Sequence, residues 1–213
     1  MKRRRNKMFK KMFLVLTLLA IAFSPLSVES ETSIKGIYVQ LPKHQFQFDG
    51  KTVEVIEFTS FYCGSCYVFQ KSVPVIRGNF PKRIKWKTIP IYWGKASTKP
   101  LEAYLLAKES GMGEEMKMAL FNAYFVEKRD IGDLRVLEEI GMKMGLGFDF
   151  SKRLRGGDKL RDVQKALDRA KEYGVEETPT LIIAGNIMTS PGLVYHNLDA
   201  FRENILIILR SIL

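Results

Sequence analysis

The chain has 213 residues, with 34 Lys and Arg against 23 Asp and Glu, for a formal net charge of +11. Seven of the basic residues lie in the first thirty positions, and the rest of the chain carries a net charge of +5. Such a modest excess does not by itself imply nucleic acid binding. The chain has two cysteines. A scaffold stapled by disulfides is therefore disfavoured, since a chain of this length buries a sufficient core without crosslinks.

Residues 1–30 are predicted to be a secretory signal peptide. The seven basic residues precede position 12, and the uncharged, mostly apolar run Met12–Phe23 follows them. Small or short side chains then lead up to Ser30, as a signal peptidase requires. The apolar run is shorter than the ~20 residues of a spanning helix. Export through a cleaved leader, to the periplasm or otherwise out of the cytoplasm, is favoured, and an uncleaved anchor is the alternative.

The remaining chain carries strand and helix signals in a definite order. Residues 53–59 predict a buried strand, residues 65–80 a helix kinked at Pro74, and residues 84–91 a second strand. Helical segments then follow without an intervening strand signal, at residues 101–110, 114–128, 134–144 and 158–173. Strand character returns at residues 180–184 and 187–189, before a final helix capped by Asn197 or Asp199.

This order predicts an α/β domain interrupted by a block of helices. The closing strands lack a core of their own, so they are expected to complete the sheet begun by the first strands. The predicted boundaries are residues 31–95 and 174–213 for the discontinuous α/β domain, and residues 96–173 for the helical insertion.

Both cysteines lie in one short motif, Cys63-Gly64-Ser65-Cys66. A disulfide between them would close a ring too small to stabilise a fold, because the stabilisation grows with the length of the closed loop. The motif lies where a strand ends and a helix begins, and the positive end of a helix favours a thiolate over a thiol. The pair is therefore interpreted as a catalytic dithiol.

The segment around this motif, residues 57–69 (EFTSFYCGSCYVF), resembles the active-site segment of the DsbA-type thiol:disulfide oxidoreductases. Residues 86–94, residues 175–186 (VEETPTLIIAGN) and Pro191-Gly192 are similar to further segments of that family. The resemblance implies an exported enzyme with a thioredoxin-like fold and an inserted all-helical domain. Strongly oxidising relatives typically have Pro-His between the cysteines, where this chain has Gly64 and Ser65.

The resemblance also implies roles for individual residues. Cys63 would be the exposed nucleophile, and Cys66 the buried thiol that resolves the mixed disulfide. With no histidine between the cysteines, the Cys63 thiolate would be stabilised by the helix terminus, the Gly64 and Ser65 region and the Ser65 hydroxyl. Strand alternation places Glu57 inward, where it would accept the Cys66 proton. The alternative is a partly solvated charge at the margin of the sheet.

Thr178 and Pro179 would form the second part of the site. The resemblance implies a cis bond at Pro179, which turns Thr178 toward the dithiol and exposes a backbone edge for an unfolded substrate. The Thr178 hydroxyl would reach the Cys63 sulfur. From the residues alone, an ordinary trans turn is the alternative for Pro179, and an ordinary turn residue for Thr178.

The favoured function is the oxidation of reduced or unfolded exported proteins by the Cys63–Cys66 disulfide. A reductase or isomerase using the same dithiol is one alternative, and a non-catalytic metallochaperone or folding helper is another. Too few residues precede the first strand for a dimerisation domain, so a monomer is expected. No cofactor, metal or nucleic acid is predicted, since His44 and His196 lack a paired ligand nearby in sequence. A DsbB-like membrane quinone oxidoreductase is implied as the partner that recycles the pair.

Overall fold

The structure is a computed structural model that describes residues 34–94 and 96–213. The predicted signal peptide lies outside the described residues. Within the described part of the chain, the model has no helix with the length and apolar character needed to cross a membrane.

A mixed sheet of five strands organises the described residues, in the order β1-β5-β4-β2-β3. Strand β2 lies next to the edge strand β3, with which it pairs in parallel, and it pairs antiparallel with the central strand β4. β2 and β4 are rich in Val and Ile and almost wholly buried, as strands covered on both faces must be. The strands are β1 (Val39–Gln40), β2 (Val53–Thr59), β3 (Ile84–Pro90), β4 (Thr180–Ile183) and β5 (Ile187–Thr189).

The strand prediction is confirmed except at β1, which it missed. β1 has two residues, both exposed, and therefore no alternating pattern to read. It pairs with β5 at the edge of the sheet.

The prediction of one kinked helix after β2 is wrong. Two helices follow, α1 (Gly64–Phe69) and α2 (Ser72–Asn79), with a break at Gln70 and Lys71. Pro74 lies in the first turn of α2, where a backbone N–H would have no partner within the helix. The proline is therefore accommodated at the start of a new helix instead of bending a continuous one.

A block of helices lies between β3 and β4, with its own core. The segment predicted at residues 114–128 is α4 continued by a π-helix, and α6 was not predicted. α6 is polar and flanked by glycines, and Gly157 ends it in the left-handed conformation. The limits of the insertion at residues 96 and 173 stay a prediction. The helices are α3 (Lys99–Glu109), α4 (Gly113–Phe121), the π-helix (Asn122–Val126), α5 (Leu134–Lys143), α6 (Gly147–Gly156) and α7 (Leu160–Glu172).

The chain closes with a 3₁₀ turn (Pro191–Val194) and helix α8 (Leu198–Ile212). Of the two predicted caps, Asn197 is the one used, because its side chain accepts the N–H groups of Asp199 and Ala200 at 3.0 Å each. α8 and α2 bury their apolar residues against one face of the sheet, and the end of α7 packs on the other. The loops at the ends of β2 and before β4 are thereby held side by side.

Candidate active site

Cys63 caps the helix that contains Cys66. It has extended backbone angles at the start of α1, and its Sγ accepts the backbone N–H of Cys66 at 3.2 Å. Both thiols are free, with Cys63 half-buried and Cys66 fully buried. The predicted difference in burial between the two cysteines is present in the structure.

Polar groups surround the Cys63 sulfur. Ser65 Oγ lies 3.1 Å from Sγ, and the thiol donates to the Thr178 carbonyl oxygen at 3.2 Å. The pKa of Cys63 is lowered to about 5, chiefly by the hydrogen bond from the Cys66 thiol, with the Ser65 and Thr178 side chains and the Cys66 N–H adding to the effect. Partial burial opposes these contributions without cancelling them.

The second thiol is shifted in the opposite direction. Burial raises the pKa of Cys66, and its hydrogen bond to Cys63 raises it further. At neutral pH the pair therefore consists of a Cys63 thiolate and a protonated Cys66, which is the asymmetry that thiol–disulfide exchange requires.

The loop before β4 completes the surroundings of the sulfur. The Thr178–Pro179 peptide bond is cis, as the resemblance implied. The carbonyl oxygen of Thr178 accepts from both the Cys63 thiol and the Ser65 hydroxyl, the latter at 3.1 Å. The sequence interpretation assigned the contact to the Thr178 hydroxyl, whereas the hydrogen bond to Cys63 is made by the carbonyl. The hydroxyl contributes to the lowered pKa of Cys63.

Glu177 anchors this loop and was missed by sequence reasoning. Its carboxylate accepts the backbone N–H of Gly192 at 2.9 Å and the Ser190 hydroxyl. The residues it contacts lie more than ten positions away, so no local pattern could have identified it.

Glu57 lies inside the protein, as strand alternation predicted, with 0% of its surface exposed. It accepts hydrogen bonds from Gln70 Nε2 at 2.8 Å, Trp86 Nε1 at 3.0 Å and Thr88 Oγ1 at 3.4 Å. Gln70 Nε2 also donates to the Cys66 carbonyl at 3.2 Å, and this links the carboxylate to the helix of the dithiol.

The π-helix places aromatic rings against α1. Phe125 stacks on Tyr67 with ring centres 5.1 Å apart, and Tyr124 contacts Tyr62 edge-on at 5.2 Å. A Cβ atom on Gly64 would lie 3.8 Å from the Phe125 ring. Sequence reasoning did not identify these aromatic residues, because the sequence pattern did not predict a π-helix. The extra residue per turn of the π-helix changes the direction in which these side chains point.

The two histidines lie in other surroundings. His44 stacks on Tyr173, and His196 Nδ1 lies 3.7 Å from a Glu177 oxygen. Across residues 34–94 and 96–213, no group of three or more His, Cys, Asp or Glu side chains could hold a metal ion.

The fold and the dithiol agree with the comparisons to known proteins. A family model described as a DSBA-like thioredoxin domain matches residues 54–205. The chain belongs to this family. DsbA, the thiol:disulfide interchange protein, of Haemophilus influenzae is 27% identical over 164 residues, covering 74% of this chain and 77% of that protein. DsbA of Azotobacter vinelandii is 22% identical over 149 residues, covering 70% of each chain.

Solved structures of DsbA proteins share the fold. The oxidoreductase DsbA of Xylella fastidiosa superposes with a TM-score of 0.67 at 20% identity, covering 82% of this chain and 95% of that one. DsbA of Pseudomonas aeruginosa gives a TM-score of 0.67 at 17% identity, covering 83% and 92%. The predicted thioredoxin-like fold with an inserted helical domain is therefore confirmed. So is the enzyme class, a DsbA-like protein thiol:disulfide oxidoreductase.

Proposed function

We propose that this protein is exported and oxidises reduced protein substrates with the Cys63–Cys66 disulfide. The observation that carries the proposal is the low pKa of Cys63, about 5. A stabilised thiolate stabilises the reduced enzyme, so its disulfide is a strong electron acceptor. The same thiolate is a good leaving group, which speeds the release of the oxidised substrate.

The exchange proceeds in two steps. A substrate thiolate attacks Cys63 Sγ, the Cys63–Cys66 bond breaks, and Cys66 leaves and takes up a proton from solvent that Glu57 relays. A second substrate thiolate then attacks the substrate sulfur of the mixed disulfide, and Cys63 leaves as a thiolate. The substrate dithiol loses two electrons and the enzyme disulfide gains them.

Gly64, Ser65, Thr178 and Pro179 are assigned to substrate binding and to tuning of the sulfur. The contacts of the Thr178 carbonyl with Cys63 and Ser65 support this assignment, because they place the loop before β4 directly against the nucleophile. An unfolded chain pairing with this loop as an added strand would bring its own sulfur to Cys63.

Export and the partners follow from the leader and the family. Residues 1–30 direct the chain to the periplasm or an equivalent exported site, where reduced proteins emerge from the membrane. A DsbB-like membrane quinone oxidoreductase would return the dithiol to its disulfide. The enzyme acts as a monomer, without a cofactor, a metal or nucleic acid.

A reductase or isomerase is the second candidate, favoured by one contact. The Cys63 thiol donates to the Thr178 carbonyl at 3.2 Å, and an acceptor at that position stabilises the protonated sulfur. Ser65 also supplies a neutral hydroxyl where strong oxidants of the family have an imidazole.

The reduction potential distinguishes these functions. We expect equilibration with glutathione to give a value nearer to the ~-120 mV of DsbA than to the ~-270 mV of thioredoxin. A value near that of thioredoxin would identify a reductant instead. The control is Cys63→Ser, which should abolish oxidation of a reduced, unfolded protein. If Cys63→Ser kept full biological activity, a non-catalytic function would be indicated.

A further inference from the structure

A buried ion pair joins the sheet to the helical block beneath the dithiol. Glu57 belongs to β2 and Lys117 to α4, and their side chains are 0% and 1% exposed. Lys117 Nζ lies 3.8 Å from Glu57 Oε2. Lysine is almost never fully buried unless its charge is paired, so a buried lysine aimed at a buried carboxylate calls for a reason.

The ammonium group of Lys117 is held loosely. Its second neighbour is Glu114, whose Oε2 lies 2.8 Å away and whose side chain is half-exposed. Neither contact is a hydrogen bond, and Nζ is a buried donor without a hydrogen-bond partner among the described residues. The group therefore acts on Glu57 through its charge.

A cavity of about 340 Å³ lies beside this pair. Its walls include Trp86 and Thr88, which donate to Glu57, and Glu114, which contacts Lys117. Tyr104 forms a further part of the wall. Glu57 and Lys117 do not line the cavity themselves, so the side chains of Trp86, Thr88 and Glu114 separate the buried pair from it.

Gln70 connects the pair to the chemistry. Its amide donates both to Glu57 Oε1 and to the carbonyl of Cys66, so the carboxylate and the resolving cysteine share one hydrogen-bonded side chain. A change in the charge of Glu57 therefore alters the hydrogen bond that Gln70 donates to the Cys66 carbonyl.

We propose that Lys117 is a positioning residue for the dithiol reaction. Its ammonium group, 3.8 Å from Glu57 Oε2, places a positive charge beside the carboxylate that takes the Cys66 proton. This inference rests on the proposed role of Glu57 as the proton acceptor.

When a mixed disulfide is resolved, the proton moves from Cys66 Sγ to Glu57, and the Cys66 thiolate attacks Cys63 Sγ. The Cys63–Cys66 bond forms, the bond from Cys63 to the partner sulfur breaks, and the partner leaves as a thiolate. In the oxidising direction the same events run in reverse.

The charged and titratable groups that face Glu57 come from several elements. Lys117 and Glu114 belong to α4, Tyr104 to α3 and Cys66 to α1, while Lys87 and Lys108 line the cavity. The hydrogen-bond donors of Glu57 (Gln70, Trp86 and Thr88) are neutral. Without Lys117, the ionised carboxylate loses its nearest positive charge.

Ellman's reagent separates the two thiols in one experiment. Cys63 attacks the reagent and releases a first equivalent of coloured thiol, and Cys66 releases the second when it resolves the mixed disulfide. For Lys117→Met we expect an unchanged first phase and a second phase about tenfold slower at pH 7, with its pH profile displaced upward. Lys117→Arg should restore the second phase, which a merely structural role would not require.

The matched control is Lys99→Met, which removes the lysine from a partly buried pair of the helical block, with Glu102 at 3.2 Å. This variant should leave both phases unchanged while lowering the urea midpoint. A second phase in Lys117→Met with the wild-type rate and pH profile would overturn the proposal. Lys117→Gln is assayed in the same way if Lys117→Met does not fold. If the second phase of Glu57→Gln is also normal, the proposed role of Glu57 as the proton acceptor is itself wrong.

Discussion

The Sγ atom of Cys63 accepts the backbone N–H of Cys66 at 3.2 Å, so the first sulfur of the dithiol caps the helix that carries the second. A cap stabilises a helix most when it is charged, because the free N–H groups of the first turn carry partial positive charge. Ionisation of Cys63 therefore stabilises α1, and the N–H groups of α1 in turn stabilise the thiolate. Both effects stabilise the reduced form of the enzyme.

The first prediction concerns the ionisation of Cys63. Thiolate absorbance near 240 nm should titrate with a pKa of about 5, because the Cys66 thiol and the Ser65 and Thr178 side chains stabilise the charge. The rate of alkylation by iodoacetamide should follow the same curve. A pKa near the ~8.5 of a free thiol would remove the basis of the mechanism.

The second prediction tests the Ser65 hydroxyl, 3.1 Å from the sulfur. In Ser65→Ala the thiolate loses one hydrogen-bond partner, so we expect the pKa of Cys63 to rise by about one unit. The reduction potential should fall by about 30 mV, which corresponds to a tenfold change in the equilibrium. Ser110→Ala, at the end of α3 and outside the site, is the control that should change neither value.

The third prediction is the pH dependence of stability. The pKa of Cys63 is about 5 in the folded reduced protein, below the ~8.5 of an unfolded chain. The thiolate therefore contributes stability that is complete above pH ~8.5 and is lost as the pH falls through 5. The pKa of Cys66 is raised in the folded protein. Its titration therefore lowers the free energy of unfolding only above the pKa of an unfolded cysteine, and it does not affect the pH dependence between pH 5 and pH 8.

Urea unfolding of the reduced and oxidised proteins between pH 5 and pH 8 measures this effect. The reduced protein should gain stability relative to the oxidised one as the pH rises, because the oxidised protein has no thiols to titrate. A constant difference between the two would contradict the assignment.

The fourth prediction tests the anchor of the loop before β4. A Cβ on Gly192 would overlap Glu177 Oε1, so Gly192→Ala displaces the carboxylate from its hydrogen bonds with Gly192 and Ser190. We expect a loss of about 1–2 kcal/mol in the free energy of unfolding and severalfold slower oxidation of a reduced peptide.

The control for this variant is Gly78→Ala in α2. No atom lies within 4 Å of the added Cβ there, and alanine favours a helix by about 0.5–1 kcal/mol over glycine. This control should be as stable as the wild type or more so, with unchanged activity. Equal behaviour of the two variants would show that Glu177 does not hold the loop.

The sequence predicted the parts of the site that depend on local pattern. Cys63 and Cys66 follow a strand made of β-branched and apolar residues, and Glu57 on that strand is buried as predicted. Both faces of the strand are covered, so its burial does not depend on the alternation. The cis bond at Pro179 was predicted through the family resemblance, since X-Pro bonds in general are mostly trans.

The sequence could not predict contacts between distant segments. Lys117 stands between two methionines on a helix, and nothing in that pattern distinguishes it from a solvated lysine. The break between α1 and α2 was not predicted, because Pro74 was interpreted as a kink inside one helix, whereas it lies in the first turn of α2. In both cases the local sequence is compatible with more than one structure, and tertiary packing determines which one forms.

Thr178, whose side chain helps to lower the pKa of Cys63, lies 115 positions further along the chain, just before the strand β4 that pairs with β2. While the protein is being synthesised, its N-terminal half holds a sulfur that lacks part of its eventual environment. Full reactivity is therefore acquired late, when the last strands are in place. The rate at which Cys63 is alkylated therefore reports how far folding of the chain has progressed.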